Sequence, residues 1–527
     1  MIKNALRFWP WLAATASGLL CTSCFPPFNQ SWLCWIALTP LIAAVWFSQG
    51  SRRDWLRNLL LGYLAGIVFF TAAFSWLGAL GDLYQNFFLH GLSLLLSLYL
   101  AMHFAFWSWF IGLIRPRDFI SSGRNLLAAF LAAAAWATHE WVRGWLFSGF
   151  GWNGLGVALH QNWPVIQIAE FTGVIGLSFA VVFTNVIAVC IPFRLFTEAR
   201  THRMRPHFDI TLTMIGLVAL FAFGLHAVQN QSAGKPLRVA AIQTNIPQEQ
   251  KFEPTEQILD TCDQLSTLAV QREPKPELLV WPESSIPGKF GRDAWVLEFP
   301  RTVTQRSGVD LLLGVDDEEN NRAYNAALLI SPTGESQLYR KVHLVPFGEY
   351  IPLRHSFPLF AAVAGTWVPG DFAAGTEYTV FNLTNGDIHV GPLICFEDTI
   401  GDLTRQFVLR DANLLVNVTN DGWFMHSAGS RQHLANAVFR CVENRRPMVR
   451  AANTGVTCFV NEFGRVTQAL QDGTGSTFTQ GVLTGEINVP IGRELTFYAR
   501  HGELFAELCT CLTLIAIVVS LAFRRWL

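Results

Sequence analysis

The chain has 527 residues, 51% of them hydrophobic, 13% aromatic and only 15% charged, whereas a soluble globular chain carries about a quarter charged residues; this is the composition of a membrane protein. A net charge of −1 excludes the basic surplus that neutralises nucleic-acid phosphates, so no nucleic-acid partner is expected. The ten cysteines follow neither zinc-ligand spacing nor a secreted disulfide framework, and no phosphate loop or dinucleotide fingerprint is present, so neither metal nor cofactor is expected.

Apolar stretches at about 9–24, 31–48, 58–81, 87–114, 125–145, 165–193, 209–229 and 504–523 are long enough, or nearly so, to cross a hydrocarbon core of about 30 Å. The first resembles a signal peptide behind Lys3 and Arg7, but further spans follow at once and nothing like a cleavage site ends it. Arg52, Arg53 and Arg57 follow the second span, Arg115, Arg117 and Arg124 the fourth, Arg194, Arg200, Arg203 and Arg205 the sixth, and Arg524 and Arg525 the last. The alternate connectors hold no Lys or Arg. The positive-inside rule therefore predicts that both termini are cytoplasmic and that the segment of about 235–490 lies on the outer face. Glu140 and Arg143, three residues apart on one helix face near the outer end of the fifth span, read as a structural pair, with contact to a lipid head group as the alternative. His90, His103 and Glu170 read as interior polar residues without metal spacing.

The outer segment reads as soluble α/β. Apolar runs at 237–245, 277–283, 310–316, 325–332, 389–396, 413–420 and 456–464 alternate with helical stretches at 255–272 and 427–445, the pattern of strands buried on both faces. In GPLICFED (391–398) one such run delivers Cys395. A lone free cysteine is most often a small buried hydrophobe, but two other element ends present ionisable groups. Glu283 ends ELLVWPE, and Lys341, the only lysine after Lys289, sits in YRKVHLVPFGEYIP. A thiol near pKa 8.5 is only a few per cent thiolate at neutral pH. A carboxylate that takes its proton and a cation that stabilises the anion make it a nucleophile, and Glu283 and Lys341 suit those tasks. Asp398 reads as the cap of the helix that starts nearby.

WPES around Glu283, RKVHLVPFGEYIP around Lys341 and LICFED around Cys395, in that order, resemble the Glu-Lys-Cys pattern of the nitrilase (carbon-nitrogen hydrolase) superfamily. With eight spans placed seven before and one after, QTNIPQ at 243–248 and RGWLFSGFGWNGLG at 143–156, the whole chain resembles the bacterial apolipoprotein N-acyltransferase family. The resemblance implies a multi-pass α-helical membrane domain (1–230, with a last helix in 500–527) and a nitrilase-like αββα sandwich at 235–490. It further implies Glu283 as general base, Lys341 as stabiliser of the tetrahedral intermediate, Cys395 as nucleophile, and Glu349 and Glu397 as supporting carboxylates. Phe396 and Phe252 stand where that family often has Tyr and Trp.

The implied reaction passes an acyl chain from a membrane phospholipid through a Cys395 thioester to the α-amine of a diacylglyceryl-modified N-terminal cysteine on an apolipoprotein, at the bacterial inner membrane. A monomer working on these two partners and the bilayer, without cofactor, is expected. The rival reading with the same three residues is a membrane-tethered amidase that passes the acyl group to water. A transporter or scaffold with a solute-binding outer domain would leave the Glu-Lys-Cys order a coincidence. The apolar, Pro- and Gly-punctuated stretch 351–370 is expected to be a lid that admits lipid, through Phe357, Leu359 and Phe360, rather than an ordinary loop packed on the domain surface; Trp423 reads equally as lining an acyl pocket or as a core aromatic.

Overall fold

A computed structural model describes residues 2–201, 205–229, 234–248, 256–354, 356, 370–492 and 494–522. The chain divides into two units, Met1–Asn230 with His501–Leu527, and Gln231–Arg500.

The longer helices of the first unit are α1 (Ile2–Ser23), α2 (Thr39–Phe47), α3 (Asp54–Ala73), α4 (Leu92–Leu113), α5 (Ser122–Arg143), α6 (Ala169–Thr201) and α7 (Phe208–Gln229). Among the described residues, five stretches are helical, long and apolar enough to cross a membrane: Asp54–Ala73, Leu89–Leu113, Ala169–Thr201, Phe208–Gln229 and Leu504–Ala522. The helices α1 and α5 are of similar length but carry Lys3 and Arg7, and Arg124, Glu140 and Arg143. The predicted span at 31–48 is broken into a 3-10 turn, Ser31–Trp35, and α2, which opens with Thr39 and Pro40; proline lacks an N–H and opens a helix rather than continuing one.

With lipid outside, close backbone approach rather than apolar burial holds helices together, and the sequence supplies small residues for it. Gly62 of α3 faces α4 so closely that a Cβ would lie 2.4 Å from the Phe104 carbonyl oxygen. Ala128, Ala129, Ala132 to Ala135 and Ala137 of α5 are all buried. The expected pair of Glu140 with Arg143 is not formed. Glu140 instead accepts from Trp136 Nε1 (2.6 Å), Leu155 N (2.6 Å) and Ser178 Oγ (2.5 Å), because the loop after α5 folds back and offers a backbone N–H at closer range than the guanidinium.

Among the described residues the second unit holds twelve strands: β1 (Gly234–Gln243), β2 (Leu278–Val280), β3 (Asp310–Glu319), β4 (Arg322–Ile330), β5 (Ser336–Arg340), β6 (Phe381–Asn382), β7 (His389–Ile394), β8 (Leu414–Thr419), β9 (Met448–Ala452), β10 (Cys458–Val460), β11 (Val466–Ala469) and β12 (Gly481–Pro490). They form two six-stranded sheets, ordered β12-β1-β2-β3-β4-β5 and β11-β10-β9-β8-β7-β6. In each sheet the inner pairs are parallel, β1 with β2 and β2 with β3, β7 with β8 and β8 with β9, and the outer pairs antiparallel. The inner strands carry the apolar runs 239–242, 278–280, 311–313 and 414–416, as burial on both faces favours. Strands β3 and β4 lie against β8 and β7 of the other sheet. The helices α8 (Glu256–Val270) and α9 (Trp295–Ser307) cover the first sheet, and α10 (Gly401–Val408) and α11 (Gly429–Asn444) flank the second. This is an αββα sandwich. Its first apolar core gathers Ile242, Leu279, Trp281, Leu313, Leu328 and their neighbours between sheet and helices.

Candidate active site

Glu283 reaches its place because β2 runs on past Val280 and crosses over β3. Gly314 N donates to Pro282 O at 3.1 Å and Ser285 N to Gly314 O at 2.9 Å. A Cβ on Gly314 would meet the Glu283 Cα at 2.5 Å, so only glycine lets the carboxylate cross here. Lys341 follows β5, and its N–H bonds to Asn325 O of β4 at 2.8 Å. That register carries the two side chains to the same end of the sheet.

One amide then organises the acids. Asn325 Nδ2 donates to Glu283 Oε1 (2.7 Å) and to Glu349 Oε1 (2.8 Å). Two acceptor carboxylates require the nitrogen, not the oxygen, of that amide to face them. Glu349 also accepts from Lys341 Nζ (2.9 Å) and Val345 N (2.7 Å). Lys341 is only 1% exposed. Burial opposes its charge, but the fields of Glu349, Cys395, Glu283 and Glu397 outweigh it and hold its pKa above the ordinary lysine value. The group is an ammonium at working pH.

Cys395 stands where β7 ends, in the left-handed backbone region at φ 52°, uncommon for a residue with a side chain and frequent at functional turns. Of the ten free cysteines, eight are buried, Cys511 is exposed and Cys395 alone is intermediate. Buried thiols among apolar neighbours are inert, which sets Cys395 apart. Burial, and after it the charge of Glu283, push its thiol above the ordinary value, while Lys341 and the Thr419 hydroxyl pull it down. The resting sulfur is therefore protonated and lies in the fields of a carboxylate and an ammonium.

Glu397 is the strut between the sheets. Its Oε1 accepts from Tyr339 Oη (2.8 Å), Val342 N (2.9 Å) and His343 N (3.1 Å), and its Oε2 from Ile394 N (2.9 Å). It thus ties the Lys341 loop of one sheet to the Cys395 turn of the other. Burial pushes this carboxyl up to about 7, against the pull of Lys341 and the donors. Glu397→Gln turns an NH2 toward at least one of these donors, and leaving a buried donor unpaired costs about 1–3 kcal/mol, so the purified variant should melt lower than wild type. The sign with pH follows from the raised pKa. Between the ordinary value of 4.5 and about 7 the folded state keeps a proton the unfolded state has lost, so this contribution to stability declines as pH rises through that window. The melting temperature of the Gln variant should decline less over the same range.

Behind Cys395, Asp398 does not cap α10, whose preceding residue Ile400 makes no side-chain cap. It pairs instead with Arg450 Nη1 and with His433 Nε2 at 2.8 Å. Arg450 Nη2 also holds Asp421 at 3.0 Å, and all four groups are buried. The expectation of a cap fails because Arg450, in mid-strand on β9, brings a charge to Asp398 that sequence neighbours do not reveal. Trp423, in the turn Asp421–Phe424 after β8, is half-buried. Phe396 keeps an aromatic contact, stacking on His343 with centroids 5.9 Å apart. Phe252, Phe357, Leu359 and Phe360 lie outside the described residues. Sequence reasoning did not single out Asn325, Tyr339 or Thr419. Asn325 was legible only as a polar residue opening an apolar strand.

Two family models match the chain. The one described as Apolipoprotein N-acyltransferase N-terminal domain matches residues 17–187, and the one described as Carbon-nitrogen hydrolase matches residues 238–495. A protein of Geobacter metallireducens named Apolipoprotein N-acyltransferase is 34% identical over 98% of this chain and 95% of its own length. One of the same name from Nitrosomonas europaea is 33% identical over 87% of this chain and 88% of its own. Among solved structures, a carbon-nitrogen hydrolase from Helicobacter pylori G27 covers 52% of this chain and 95% of its own, at 15% identity and a TM-score of 0.39.

Proposed function

Since the chain belongs to the apolipoprotein N-acyltransferase family, we propose that it moves a fatty acyl chain from a membrane phospholipid to the N-terminal amine of a diacylglyceryl-modified apolipoprotein, through a thioester on Cys395. The observation that carries the chemistry is the meeting of Cys395, Lys341 and Glu283 at the ends of separate strands, each feeling the charge of the others.

In the first half-reaction Glu283 takes the thiol proton as the sulfur attacks the ester carbonyl. Lys341 faces the oxyanion, the ester C–O bond breaks, and the lysophospholipid alkoxide leaves with the proton returned by Glu283. In the second, the acceptor amine attacks the thioester, loses a proton to Glu283, and the thiol is released as the amide forms. Glu349 holds Lys341, Asn325 holds both acids, and Glu397 sets the distance between the Lys341 loop and the Cys395 turn. Ester to amide is downhill, so the reaction needs no nucleotide.

We place residues 235–490 on the periplasmic side of the inner membrane with both termini cytoplasmic, a reading supported by the cations that follow the second, fourth and sixth spans and precede the first. In that arrangement residues 1–230 and 500–527 form the membrane platform.

Incubation of the purified enzyme with phospholipid alone should add one acyl mass to the peptide carrying Cys395, and a diacylated lipopeptide should discharge it. Discharge by water at the same rate would replace this reading with that of a membrane-tethered amidase. No adduct on Cys395 would end both.

A further inference from the structure

The last turn of α5 holds an arginine that makes no direct ion pair among the described residues and lies only in the field of Glu140 and Tyr99. Arg143 is 4% exposed. Its guanidinium lies over the Phe70 ring at 5.2 Å, Nη2 makes one long bond to Gly151 O at 3.4 Å, and Nε is buried without a hydrogen-bond partner. Glu140, the acid nearest in sequence, commits both oxygens to Trp136, Leu155 and Ser178. An ionised group enclosed by protein and lipid without a partner is costly, and such groups mark ligand paths.

Arg143 and Glu140 border a cleft within the membrane unit, together with Phe70, Phe104, Trp136, His103 and His139, and the Glu140 oxygens are turned to their own three donors. The rings of Tyr99, His103 and His139 follow one another at 5.8 Å spacings. The Tyr99 hydroxyl is also buried without a partner. The free volume of the cleft is about 20 Å³, enough for a single oxygen atom or a water molecule and too little for a whole headgroup. Its walls are chiefly aromatic. Beside it on α4, Leu95, Leu98, Met102 and Phe106 form an exposed apolar stripe, each more than 40% accessible.

We propose that this cleft seats one anionic oxygen of a glycerophospholipid phosphodiester on Arg143, with an acyl chain lying along the Leu95–Phe106 stripe of α4. A lipid fits better than a free anion. It brings its charge to membrane depth already attached to apolar chains, whereas a solute phosphate must be stripped of water to enter an aromatic-walled cleft. Arginine suits the task because its fixed fork of donors matches phosphate oxygens.

The site is tested by native mass spectrometry of the whole detergent-solubilised chain offered phosphatidylglycerol, diacylglycerol or inorganic phosphate. Wild type should retain phosphatidylglycerol in preference to diacylglycerol. Arg143→Gln should lower that retention roughly tenfold, the loss expected of one charge-assisted hydrogen bond, and Arg143→Lys should lie between. In lipid-free detergent Arg143→Gln should melt no lower than wild type, because it removes a buried charge that makes no direct ion pair; with phosphatidylglycerol present it should melt lower.

Equal retention of the two lipids by wild type overturns the proposal whatever the variants do. So does full retention by Arg143→Gln, or a melting loss without lipid, which would make Arg143 a structural residue. Displacement of the lipid by inorganic phosphate would leave a free-anion site only. Retention does not depend on Cys395, so this proposal and the acyl-transfer reading fail separately.

Discussion

Cys395→Ala is expected to reduce acyl transfer by about 10⁴-fold or more, the order found when a covalent nucleophile is removed from a preassembled site, and to abolish the acyl adduct altogether. Transfer is followed with a fluorescent phospholipid and a diacylated lipopeptide, the adduct by mass. The substitution removes a partly buried sulfur at the end of β7 and leaves intact the four bonds of Glu397 that hold the turn, so melting should change little. Cys395→Ser should be nearly as inactive, because Glu283 and Lys341 are arranged around a thiol, and a hydroxyl is much harder to ionise. Substantial transfer by the alanine variant would mean that the acyl group goes directly from lipid to amine and that no thioester forms.

Glu283→Gln is the second large effect, expected to slow acyl-enzyme formation by about 10²–10⁴-fold through loss of the base. Its sharper signature is in pH. The charge of Glu283 helps to push the resting thiol up, whereas Lys341 pulls it down. With the neutral amide in place, the pH at which Cys395 becomes reactive toward iodoacetamide should move lower even as turnover collapses. Lys341→Met should move it higher, and should slow transfer by about 10²–10³-fold as an oxyanion partner is lost. General loosening of the site would shift both variants the same way, so shifts of opposite sign are the discriminating result. In Glu283→Gln the new side-chain carbonyl can still accept the Asn325 bond, which keeps the geometry comparable.

The three residues were legible in the sequence because each sits where an apolar strand gives out onto a polar group. Strands buried on both faces seldom carry a charge along their length, so a Glu, Lys or Cys-Phe-Glu at the boundary stands out. The strands missed were those with weak patterns. Strand β9 carries buried Arg450 in its middle, and β12 mixes Thr484, Glu486 and Asn488 into an edge paired on one side with β1. The role of Asn325 was not legible because it arises from bonds to Glu283 and Glu349, 42 and 24 residues away, and Asp398 was misjudged because its partners stand 35 and 52 residues further along the chain.

Composition and period by themselves determined that this is a membrane protein with an α/β insertion, since apolar run length and strand-to-helix alternation are local properties written residue by residue. What only the tertiary structure decided is how charges are shared. It drew Glu140 away from Arg143, gave Glu349 and Glu283 a common amide, and stretched Glu397 between two sheets. Electrostatic partnership depends on distances of a few ångströms between groups far apart in the chain, and no local pattern records which of several acids a buried cation will meet.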